Sequence, residues 1–79
     1  MNIDEIYTML SVRITQEVVS HQTLDWNGYF TELRETVRRV VIDQAINPEL
    51  SVDERIELAR RLLAHVDELA SAWPSLTLE

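Results

Sequence analysis

Cysteine is absent from this chain of 79 residues, and so is lysine. Without cysteine, disulfides and thiolate metal sites are excluded, and nothing hints at an oxidising compartment. Glycine occurs once, at Gly28, and proline twice, at Pro48 and Pro74. A single glycine rules out a glycine-rich phosphate loop, and so few breakers argue for long helices with few turns. No apolar run has the length of a membrane span, and no basic-then-apolar leader follows Met1, so the cytoplasm is the expected location. Basic charge is scarce as well: seven arginines face fourteen acids, for a net charge of −7. That balance repels nucleic acid and anionic membranes on approach, so neither is expected as a partner.

What is present is apolar surface, 46% of the residues. The whole chain, 1–79, is read as one helical domain, because its length leaves no room for a second core. Chains this short bury only about 60% of the surface they expose when unfolded. They commonly need a disulfide, a metal or a partner subunit. With the first excluded, oligomerisation is the expected support.

Three segments carry helical periodicity. In the first, 3–21, Ile3, Ile6, Tyr7, Leu10, Ile14 and Val18 share one face, although the β-branched "SVRIT" at 11–15 favours strand locally. In the second, 26–46, the stripe is Trp26, Tyr29, Phe30, Leu33, Val37, Val40 and Val41. Asp25 is its expected N-cap, and Leu24 with Tyr29 has the spacing of a hydrophobic staple. Asn47-Pro48 should end it. The third, 52–73, starts at Ser51, which forms a capping box with Glu54, and should close at Pro74. Glu35–Arg39 and Glu57–Arg61 have the spacing of favourable i,i+4 pairs on solvated faces. Short links make successive helices antiparallel, so the fold class is all-α, an up-down-up three-helix bundle.

The turn "INPELSVDER" (46–55) resembles the start of a DNA-reading helix in outline only. It would present Asp53, Glu54 and Glu57 to phosphates, with Arg55 as the one nearby base, so the turn is read as structural. Catalytic constellations fare no better. Ser20 and His21 are adjacent and point apart, and the acid pairs fall on helix ends or outer faces, where nothing raises a pKa. His65 and Glu68 could supply half a carboxylate–histidine site, but Arg61 stands where another ligand is needed, so no metal is expected. Length, acidity and helicity resemble those of an acyl carrier protein, a resemblance that the residues do not sustain. The serine that would bear its prosthetic arm is missing from "LDWNGYF" (24–30), and Ser51 serves as a cap. No enzyme activity and no cofactor are expected.

The apolar surface exceeds what three short helices can cover. The stripe of the third segment spans close to half its circumference, and the first carries a second stripe, Met9, Val12 and Val19, opposite its main face. Ile42 and Ile46 lie off the main face of the second. Trp26 and Tyr29 flank the glycine of a link, where aromatics are either binding anchors or core. The expected function is therefore a small interaction or regulatory protein (adaptor, inhibitor, antitoxin-like or chaperone-like). It would dock apolar helix faces onto a second copy, as a homodimer, and onto a protein partner. The expected interface draws on Met9, Val12, Val19, Trp26, Tyr29, Ile56, Leu63, Val66 and Ala70. The alternative is a transcription-related factor that binds DNA or its machinery through arginines assembled in a dimer.

Overall fold

Asn2, Asp25 and Ser51 each set the start of a helix. The computed structural model describes residues 2–42 and 49–77, with side chains as far as residue 72. It contains three helices and, among the described residues, no strand: α1 Ile3–Ser20, α2 Trp26–Ile42 and α3 Val52–Thr77. The fold is the expected three-helix bundle. Asn2 Oδ1 accepts the Glu5 N–H at 2.9 Å, and Asp25 Oδ1 accepts that of Gly28 at 3.0 Å. The capping carboxylate lies so close over Gly28 that a Cβ there would stand 2.9 Å from Asp25 Cγ, so a side chain at this position would push the cap aside. The Ser51–Glu54 box is reciprocal: Glu54 N–H donates to Ser51 Oγ at 3.1 Å, and Ser51 N–H to Glu54 Oε1 at 3.0 Å.

The β-branched stretch of α1 stays helical. Its hydroxyls bond back one turn, Thr8 to the Asp4 carbonyl, Ser11 to that of Thr8 and Thr15 to that of Ser11. The helix thus absorbs polar groups that would otherwise compete with it. Three expectations change. Leu24 is fully exposed, so no staple forms with Tyr29, and Asp25 caps α2 without it. Glu35 pairs with Arg38, at 2.8 Å, one residue short of the expected Arg39. α3 does not close at Pro74 but runs through it to Thr77. Proline forfeits one backbone hydrogen bond there, yet its fixed φ is itself helical. The expected residues 43–46 of the second helix, and its stop at Asn47-Pro48, lie outside the described residues.

α3 is the spine. Its 26 residues span about 39 Å, close to the 43 Å long dimension of the molecule. Both other helices lie along it. Ion pairs and hydrogen bonds give the directions: Arg34 meets Asp67 at 2.8 Å and Arg55 meets the Ile42 carbonyl at 3.1 Å, so α2 runs antiparallel to α3. Asp4 meets Arg61 at 2.7 Å and Thr15 meets His65 at 2.7 Å, so α1 runs in the same sense as α3. The core gathers Ile6 and Val18 of α1, Phe30, Val37 and Val41 of α2, and Leu58, Ala59, Leu62 and Val66 of α3, with Leu50 at the corner. This explains the wide stripe of α3: it serves two neighbours at once. Most of that stripe is occupied within one molecule, while Val52 and Ile56 at its start stay exposed.

Candidate functional site

α1 and α2 both rest on α3 but not on each other. No Cα of α1 comes within 8 Å of a Cα of α2, a separation that packed helices do not show. The space between them is an open groove of about 450 Å³. Leu10 and Ile14 form its α1 wall, Leu33, Val37, Val40 and Val41 its α2 wall, and Leu62 of α3 its floor. The wall residues are those the stripe pattern assigns to the core, and Leu62 is only 1% exposed. Val40, by contrast, is 36% exposed.

The rim is charged. Arg13 and Glu17 stand on the α1 side, with Glu32 and Thr36 on the α2 side. Arg13 and Glu17 are one turn apart, in the less favourable order for a helix pair, and no ion pair forms between them. Among the described residues, none of Arg13, Glu17 and Glu32 has an ion-pair partner. Tyr29 closes the end of the groove next to the α1–α2 link. Burial first, and then the charge of Glu17, push its phenol above the ordinary tyrosine value. Its hydroxyl is buried and has no hydrogen-bond partner among the described residues.

That end is held by an aromatic cluster. His21 stacks on Tyr29 at 3.8 Å, and Trp26 meets Tyr29 edge-on at 5.6 Å and Phe30 at 5.9 Å. Trp26 and Tyr29 are thus half-buried packing groups that shape one end of the groove, not anchors standing free on a loop. The other expected interface residues are scattered. Met9, Val12 and Val19 are 43%, 50% and 62% exposed on the outer side of α1, and Ile56 is exposed at the start of α3. Leu63 and Ala70 are half-buried against the core. Val66 is fully buried, a correction to its expected place on a docking face: it faces the other two helices.

Most of the arginines are engaged. Arg34, Arg38, Arg60 and Arg61 form ion pairs, and Arg55, only 8% exposed, donates to the carbonyls of Ser51 and Ile42. Arg61 is protonated even more firmly than usual, first through its hydrogen bond to Asp4. Among the described residues no group of three His, Asp or Glu side chains gathers as metal ligands. No described helix is long and apolar enough to cross a membrane. The chain matches no protein-family model, no curated protein and no solved structure.

The groove residues Leu10, Ile14, Leu33 and Val40, and the rim acids Glu17 and Glu32, were not among the residues expected to bind. Helical periodicity places the four apolar ones on core faces, and it cannot tell a face that meets a neighbour from one that meets a gap.

Proposed function

We propose that this protein is an interaction module that binds an amphipathic helix of a protein partner in the groove between α1 and α2. The observation that carries this reading is the separation of the two helices over a shared apolar floor. Three helices here make three sides of a four-helix arrangement, and an apolar stripe with i, i+3, i+4, i+7 spacing is the shape that fills the fourth. An apolar groove with a polar rim is also what distinguishes interaction surfaces from scattered exposed hydrophobics. The roles of adaptor, inhibitor, antitoxin-like or chaperone-like protein all fit such a module.

The test is titration with a neutral helical peptide, a leucine stripe on an alanine–glutamine background, followed by NMR. Shifts should concentrate on Leu10, Ile14, Leu33 and Val40. No binding at millimolar peptide, or shifts confined to Met9, Val12 and Val19, would overturn the reading. The homodimer rests on less, since Val66, Leu63 and Ala70 are engaged in the monomer core and the outer stripe of α1 is its main remaining surface. Val12→Glu, on that stripe, should abolish any concentration-dependent sedimentation while leaving helicity intact. The DNA-binding alternative is weakened by the arginines: Arg55 is turned inward and four others are matched to acids. Salt-sensitive retention of duplex DNA at micromolar protein would revive it.

A further inference from the structure

We infer that the helix received by the groove is basic, with lysine or arginine flanking its apolar stripe at the end nearest the α1–α2 link; this rests on the groove being a docking site. The polarity comes from the rim. Glu17 stands in the last turn of α1 and Glu32 in the second turn of α2, so the short link between those helices brings the two to the same end. Tyr29 marks that end, since Glu17 acts electrostatically on its phenol and Glu32 follows it by three residues. Both residues line the groove, and neither has a cationic partner among the described residues. Bringing an apolar helix over two unmatched carboxylates strips their water, and a cation on that helix compensates. Arg13, one turn back along the same rim, favours an acid on the partner at the far side of its basic residues.

A second copy of the chain fits this rim poorly. It brings its own net charge of −7, and the apolar residues exposed at the start of its α3, Val52 and Ile56, stand among Asp53, Glu54 and Glu57. Acids would meet acids, and like charges disfavour such an encounter.

The test uses the full chain and two peptides with one leucine stripe, flanked by lysine in the first and glutamate in the second, titrated at low and high salt. The lysine peptide should bind at least about tenfold more tightly at low salt, and the gap should close as salt shortens the range of the charges. Glu17→Gln with Glu32→Gln should weaken the lysine peptide about three- to tenfold, the scale of two exposed pairs. A charge-matched control, Glu5→Gln with Glu68→Gln, removes two exposed acids outside the groove and should leave the affinity unchanged. Equal binding of the two peptides in the groove would overturn this inference and leave the docking reading standing, as would an equal loss in the control. Failure of both charged peptides and of the neutral one would bring down the docking reading itself. Groove residues that become protected as protein concentration rises, with no peptide present, would make a second copy the occupant and overturn the basic partner.

Discussion

α1 and α2 are of nearly equal length and lie on the same spine, yet α3 holds them by different means. α2 contributes Phe30, Val37 and Val41 to the core, an ion pair through Arg34, and a corner where the buried Arg55 of α3 reaches back to its carbonyl at Ile42. α1 contributes Ile6 and Val18, one exposed ion pair, and one hydrogen bond from Thr15 to the ring of His65. Local stability follows buried apolar contact and satisfied polar groups, so it should differ between the arms. The groove between them should therefore have one firmer wall, α2, and one looser wall, α1.

Leu62→Ala attacks what the arms share and should have the largest effect. Leu62 is fully buried beneath the groove, and such truncations cost about 2–5 kcal/mol. The urea midpoint should fall, and both arms should loosen together. If α2 kept its protection while α1 melted, the arms would be independent of their common floor. Arg55→Ala breaks the α2–α3 corner. The Ile42 carbonyl loses its guanidinium donor, while that of Ser51 keeps the Arg55 backbone N–H, a loss of about 1.5–3 kcal/mol for a bond to a charged group, visible in thermal denaturation. Amide exchange should then rise at the end of α2 and not in α1.

Thr15→Val tests the other arm more gently. It removes the acceptor for His65 and should cost about 0.5–1.5 kcal/mol. Amide exchange should accelerate along α1 and leave α2 and α3 protected. Uniform acceleration would show that the molecule opens as one unit and that the contrast between the arms has no dynamic meaning.

The smallest expected effect concerns the end of the groove. The fold prefers the neutral phenol of Tyr29, because its pKa is raised above the unfolded value. The associated stability is fully present below about pH 10 and is lost as pH climbs through the folded-state pKa. In a Tyr7→Phe background, Glu17→Gln should lower the phenolate absorbance midpoint, though not fully to the ordinary value, since burial is the larger cause. An unchanged midpoint would separate Glu17 from Tyr29.

Periodicity and caps carried the fold. Ser51 with Glu54, and Asp25, mark two helix starts correctly, because capping depends on residues only three apart. Asn2 caps α1 in the same way, with Glu5 N–H as its donor three residues on. Ends were less legible: Pro74 breaks a backbone bond without forbidding helical dihedrals. The groove was not legible, since whether Leu33 and Val40 meet a neighbour depends on how far apart two helices sit on a third. The width of the α3 stripe reflects two neighbours over most of its length, with Val52 and Ile56 left exposed at its start. Val12 and Met9 were legible, because they fall opposite a clear main face.

The threonine hydroxyl between α1 and α3 fixes more than a distance. Thr15 has one proton to give, and it goes to the Ser11 carbonyl at 2.9 Å. Its oxygen can therefore only accept at 2.7 Å from His65, which assigns the ring proton to Nε2 and leaves Nδ1 as the free lone pair. Nitrogen-15 shifts of the imidazole should report that tautomer directly.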